Sequence, residues 1–494
     1  MSPSSLLSRR SFLVQGALAG AAANALTPPS PQTPKPPSGI NSKAATAPAP
    51  PVTRILAEWL VTCPQSEVPD SVRKEAVRSI VNWTGVTVGG SNQQAVVRSL
   101  SAVLPYSNST AAHLFGRAET LDPLRAALIT GISSHVLDYD DTHLETIIHP
   151  AGPVASALFA LAQDHPLSGA DLLHAFILGT EIECRLGKAI YPSHYDMGWH
   201  ITGTCGAFGA AAACGRVLGL NIQQMQWALD IAATEAAGLK IMFGSMCKSL
   251  NIGRAAESGL LAALLAAKNF TSSDEGIEGK EGYIFAASRE HNYAPLIDGL
   301  GQHYEIALDT YKPFACGIVI HPVIDAVIQL RNEHSLKSNE IRSIAIRCNP
   351  LVLELTGKKT PTTGLEAKFS VFHSAAIALI RGFAGEKEYT DQAVRDPEVV
   401  ALRQLVSVTT DPAIRTDEAY VTITTTSGQS FTKQVAHAIG SVQNPLTDKA
   451  LSFKFTQLAT GILPQAQLEK LLAAAWNLPE MHNAGDLPRL GALA

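Results

Sequence analysis

Charge is scarce in this sequence. Asp, Glu, Lys and Arg make up 16% of 494 residues and apolar types 46%, against roughly 25% charged in an ordinary soluble domain. Much of the chain must therefore be interior, which excludes a disordered protein. Positive charge is not in excess either. The formal net charge of −5 lacks the general positive field that counterion release requires, so no nucleic-acid partner is expected. Paired C-x-x-C motifs are missing although there are seven cysteines, so a zinc ribbon, a thioredoxin-type centre and a ferredoxin-type cluster lack support. The odd count points to buried free thiols with no required disulfide. There is no G-x-G-x-x-G fingerprint, P-loop, H-E-x-x-H or G-x-S-x-G elbow. These absences leave acid/base chemistry on a small ligand, with no metal and no organic cofactor.

Acidic residues are absent before Glu58, while Arg9, Arg10, Lys35 and Lys43 give residues 1–51 a charge of +4, leaving −9 on the rest. Arg9-Arg10-Ser11-Phe12-Leu13, a weakly apolar stretch to Leu26 and Ala23-Asn24-Ala25 read as a twin-arginine-type export signal over residues 1–26, which implies a periplasmic location. A mitochondrial transit peptide is the alternative, because Arg and Ser are present and acids are not. The apolar core is too short and too rich in Ala and Gly to be a stable membrane anchor. Residues 27–51 hold nine prolines in 25 positions and read as an extended linker.

From Val52 the pattern is helical, with long Ala/Leu/Ile runs broken by Gly and Pro. Asp122-Pro123 supplies an N-cap and a first-turn proline, and the small residues from Gly206 to Leu218 let helices approach closely. Residues 341–348, 405–409 and 420–424 alternate as strands, Ser427-Gly428 marks a turn, and helical patterns run from His321 to Glu333 and from Ala367 to Phe383. The expected architecture is mainly α: a large all-helical domain over 52–304 and 438–494, with a smaller α+β lid domain over 305–437. A cleft between two such parts is where small ligands usually bind.

Five segments carry candidate chemistry. Asp138-Tyr139-Asp140-Asp141-Thr142-His143 with His149-Pro150 reads either as a solvated turn or as carboxylates orienting an imidazole; flanking apolar helices favour the second. Gly198-Trp199-His200 opens a Gly/Ala helix whose free N–H groups favour an anion. Lys248 and Arg254 are cations in nearly uncharged surroundings, suited to holding a carboxylate. Tyr311-Lys312-Pro313 leads to His321, and Ala367-Lys368-Phe369-Ser370 leads to His373. Each histidine also has a plain structural reading as a hydrogen-bonded core residue.

Together these segments resemble the MmgE/PrpD family, which includes 2-methylcitrate dehydratases, cis-aconitate decarboxylases and an iminodisuccinate epimerase. The resemblance runs from about Val52 to the C-terminus. It implies a homodimer with a cofactor-free active site between the helical and lid domains, acting on a small carboxylic acid. Asp138, Thr142, His149, His200, Lys248 and His321 fall on family active-site positions. Arg254, His143 and His373 are the expected substrate-binding residues: Arg254 as a second cation, His143 as a substitute for His149, because the step from Thr142 to His149 is one residue longer than in decarboxylase members, and His373 where some decarboxylases place a tyrosine. The leading expectation is dehydration of 2-methylcitrate or a related alkylcitrate. Decarboxylation of a cis-aconitate-type acid, epimerisation of a dicarboxylate and non-catalytic carboxylate binding are the alternatives.

Overall fold

Helix starts follow the capping residues in the sequence. In the computed structural model, which describes residues 49–494, the Asp122 side chain accepts from the Arg125 N–H at 3.0 Å and Pro123 opens the Pro123–His135 helix, where its missing N–H costs nothing. Asn221 and Gln224 form a reciprocal capping box at Ile222–Glu235, and Ser168 caps Gly169–Ile190. The targeting segment 1–26 and linker residues 27–48 lie outside the described residues.

The helical part centres on the Ile201–Val217 helix, buried from Ile201 through Gly215, which packs against Gly169–Ile190, Ala151–Ala162 and Cys247–Ala267. Small residues make this possible: a Cβ on Gly259 would lie 2.4 Å from the Ala210 Cβ, so the helices meet almost backbone to backbone. Cys247–Ala267 in turn packs on Pro123–His135. The seven cysteines are free, and six are buried.

A four-stranded sheet forms the α+β part. Val406–Thr410 runs parallel to Ile341–Cys348, which pairs antiparallel with Ala419–Thr425, itself antiparallel to Ser430–Val435. Its buried face packs on the His321–His334 and Val371–Arg381 helices, as the alternation along Ile341–Cys348 demands. The second of these helices starts at Val371 rather than Ala367, because the Ser370 side chain takes the N-cap by accepting from the His373 N–H. After the sheet the chain returns to helices, Asp448–Ala459 and Gln465–Trp476, both on Asp70–Gly90.

The helical part is not purely helical. Ala112–His113 pairs with Thr120–Leu121, and Asp141–His143 pairs antiparallel with Asp309–Tyr311. The second pair ties the acid-rich segment to the chain entering the α+β part, a long-range pairing that local periodicity cannot reveal. One hydrophobic core runs from Trp83 and Phe159 through Val323 to Val421. No helix among the described residues is long and apolar enough to cross a membrane.

Candidate active site

The site grows from the chain leaving the Pro123–His135 helix. Asp138 has a φ of 51°, a left-handed conformation that its short polar side chain tolerates. The whole segment Asp138 to His143 is buried, so the solvated-turn reading does not hold. Three buried lysines from distant positions hold its carbonyls. Lys312 donates to the Asp138 carbonyl at 3.1 Å, Lys454 to that of Tyr139 at 2.6 Å, and Lys368 to that of Leu137. These carbonyls follow the helix in a buried stretch, where an unpaired backbone acceptor is costly and the ammonium groups satisfy it.

Asp138 also anchors two ammonium groups through one oxygen. Its Oδ1 accepts from Lys248 Nζ at 2.7 Å and from Lys312 Nζ at 2.9 Å, while Oδ2 is buried without a partner. Burial alone would raise the Asp138 pKa, but Lys248 and Lys312 outweigh it and hold the carboxyl well below its usual range. The two lysines then diverge. Burial opposes charge on Lys312, yet Asp138 and Asp140 together keep its pKa raised; Lys248 is lowered by burial, only partly offset by Asp138, and by repulsion from Lys312. One carboxylate cannot fully serve two cations, so Lys248 is the ammonium that gains most from an incoming anion. It lies 5.2 and 5.1 Å from the ring centres of Phe243 and Phe369, apolar walls that strengthen any charge contact made there.

Three imidazoles cluster beside this group. The His135 ring centre is 4.8 Å from that of His149 and 5.9 Å from that of His200. His149 Nδ1 donates to the Asp141 carbonyl at 2.7 Å; a carbonyl can only accept, so in the neutral ring Nε2 carries the lone pair. His200 Nδ1 accepts from the Asn251 amide at 3.0 Å, which leaves its Nε2 as the N–H. His135 Nδ1 bonds Asp140 Oδ2 at 2.6 Å. Burial, the largest influence on all three, pushes each pKa well below the usual histidine value. His149 and His200 thus present one acceptor and one donor to the same space.

Asp138, His149, His200, Lys248 and Lys312 meet Ile318, Val319 and Phe369 of the α+β part around a cavity of about 30 Å³, room for roughly one water. A tricarboxylic acid enters only if these walls part.

The other expected residues are placed as follows. Thr142 Oγ1 lies 3.2 Å from His149 Nδ1 and so supports that ring. His321 lines a neighbouring cavity together with Ile147, Ile318 and Val319; burial, then Lys312, lowers its pKa to about 3. His143 turns away from the cavity, its Nδ1 on Thr146 at 2.8 Å and its Nε2 on Glu305 at 3.0 Å. Arg254 lies on an outer face, half-exposed and paired with Glu257 and Glu235. His373 bonds the Glu388 carbonyl at 3.0 Å inside the α+β core. None of these last three reaches the cavity.

Sequence reasoning missed His135 altogether and did not single out Asp140 or Lys312. The signal for His135 was its place in the last turn of a helix feeding an acid cluster; for Lys312 it was a lysine at the domain junction. His135, Asp138, Asp140 and His149 offer four ligand-type atoms within 4.8 Å of one another, a set fit for a cation by atom type. Its Asp138 corner already carries two ammonium groups.

With this geometry, the similarities to known proteins fall into place. The MmgE/PrpD N-terminal domain matches residues 54–296 and the MmgE/PrpD C-terminal domain residues 314–478. The chain belongs to the MmgE/PrpD family. Among its relatives is the cis-aconitate decarboxylase of Aspergillus terreus, 26% identical over 454 residues, covering 85% of this chain and 91% of that protein. The Mus musculus cis-aconitate decarboxylase is 26% identical over 89% of this chain and 93% of its own length, and the Homo sapiens protein 27% identical over 85% and 90%.

Proposed function

We propose that the protein, a lyase of the MmgE/PrpD family, decarboxylates a cis-aconitate-type acid. The observation that carries this reading is the pairing of Lys248, an under-served buried ammonium, with His149, which lines the same cavity and keeps its Nε2 lone pair free because Nδ1 donates to the Asp141 carbonyl. The names of the relatives favour decarboxylation over the dehydration expected from the sequence.

In this scheme Lys248 holds a substrate carboxylate and stabilises developing negative charge, while Lys312 keeps Asp138 ionised and in place. The C–C bond to one carboxylate breaks and CO2 leaves. The electron pair left on the substrate takes a proton from His149 Nε2, the nitrogen whose lone pair picked it up when the anionic substrate arrived, and solvent restores it, so each turnover consumes one proton. The imidazoles, neutral when the site is empty, gain protons as the anionic substrate arrives. Asp141 and Thr142 fix the His149 ring.

Incubation of the purified chain with cis-aconitate, citrate, 2-methylcitrate and iminodisuccinate in D2O, followed by NMR, tests the reading. CO2 release with one deuterium at carbon is expected from cis-aconitate. A new alkene from 2-methylcitrate without CO2 would select the dehydratase instead; exchange without net reaction would select the epimerase; binding alone would remove the enzyme reading.

We also propose a homodimer, checked by light scattering, and export through residues 1–26, checked by whether Arg9→Lys with Arg10→Lys retains a fused reporter in the cytoplasm.

A further inference from the structure

Ile147 has a φ of 60°. A β-branched residue rarely adopts this left-handed conformation, since its Cβ substituents crowd the backbone. The conformation is imposed by a tight loop: the His143 N–H donates to the Ile148 carbonyl at 2.8 Å, and the Ile147 and Thr146 N–H groups both donate to the His143 carbonyl, at 2.8 and 3.2 Å. The loop is pinned again by Thr146 Oγ1 on His143 Nδ1. Strain held by such over-determined bonding concentrates where function needs a side chain fixed in place.

That side chain stands at a boundary. Ile147, Ile318 and Val319 line both the cavity of Lys248, His149 and His200 and the neighbouring cavity that contains His321. Behind them the second cavity is walled mainly by Leu144, Leu351, Ala438 and Ile439, with Thr416 and Asp417 also around it. The apolar walls suit a hydrocarbon group, and the Asp417 carboxylate disfavours another carboxylate beside it. Ile318 and Val319 belong to a short turn on the α+β side, whereas Ile147 belongs to the pinned loop two residues before His149.

We propose that Ile147 is a specificity-determining residue: it closes the catalytic cavity toward the His321 cavity and so selects an unbranched acid over one carrying an alkyl group at the reacting carbons. The inference deepens the proposed function and rests on it. With Ile147 in place, a methyl substituent meets the sec-butyl side chain; with the wall removed, it enters the apolar space beyond.

The test compares kcat/KM for cis-aconitate and 2-methyl-cis-aconitate. One methyl group in a fitted pocket is worth about 10- to 200-fold. The wild type is expected to prefer cis-aconitate by about tenfold or more, and Ile147→Gly, which also relieves the strained φ, to reduce that preference by about tenfold. Ile147→Val, which removes one methyl group and keeps the branch, is expected to move the ratio in the same direction by less, and it decides the matter should the glycine variant not fold. Calorimetric Kd values for the unreactive tricarballylate and 2-methyltricarballylate read the same wall without turnover. If the wild type turns over neither acid, the decarboxylase reading fails and the Kd ratio alone judges Ile147. An unchanged ratio in folded Ile147→Gly or Ile147→Val, by kinetics or by Kd, overturns the proposal.

Discussion

His135 donates from Nδ1 to Asp140 Oδ2 at 2.6 Å, with both side chains wholly buried. Asp140 presents its other oxygen to His149 Nδ1 at 3.6 Å, so His135 reaches the catalytic ring through a carboxylate rather than touching substrate. Replacing His135 by Asn is expected to lower kcat about 10- to 100-fold with little change in KM, since small misplacements of a reacting group cost that much. Steady-state kinetics check this; an unchanged kcat removes His135 from the positioning of His149.

Lys248 and Lys312 share Asp138, yet their loss should differ. Lys312 is 1% exposed and also holds the Asp138 carbonyl. Lys312→Met is expected to destabilise the fold by about 3 kcal/mol, the usual cost of breaking a buried pair. Lys248→Met removes the cation that burial already disfavours, so it should cost stability less than about 1 kcal/mol while abolishing turnover. Denaturant melts beside activity assays separate the two roles. Equal destabilisation would show that Lys248 is structural.

Substrate binding should take up protons. His149 and His200 have pKa values pushed well down by burial, and a polycarboxylate placed beside them raises those values again. Calorimetry at pH 7 in buffers of different ionisation enthalpy should show uptake of about one proton per site with tricarballylate. Zero uptake contradicts a protonated imidazole in the complex.

His194 offers a cleaner reading of stability against pH. Burial, only partly offset by its bond to the Ala287 carbonyl, lowers its pKa to about 4. The unfolded chain then binds a proton near pH 6.5 that the folded chain refuses. Its contribution therefore falls as pH drops, by about 2 kcal/mol between pH 7.5 and 5. The stability difference between wild type and His194→Asn should shrink by that amount over the range. A difference independent of pH would mean that His194 is protonated in the fold.

Much of the fold was legible because local chemistry sets it. Asp122-Pro123 starts a helix wherever it lies, and the alternation along Ile341–Cys348 describes a sheet with one buried face. Apolar spacing starts a helix at Ala367, whereas the chain starts it at Val371 because Ser370 offers a better cap, a local competition that the spacing does not register.

Composition and periodicity alone set the few charges of this chain among apolar helices and mark the acid-rich segment and Lys248 as places where a buried charge needs a partner. Who the partners are depends on how the helices and strands pack. Lys248 and Arg254 lie six positions apart on one helix, about 120° around its axis, so one turns inward to Asp138 and the other outward to Glu257. His143 and His149 both looked available, but the strand pairing that brings Asp309–Tyr311 beside Asp141–His143 belongs to the same junction that sets Glu305 on His143, and His149 is left to the cavity. Burial makes each of these charges depend on whatever is within about 4 Å of it, and those neighbours come from positions 110 and 174 residues away in the chain.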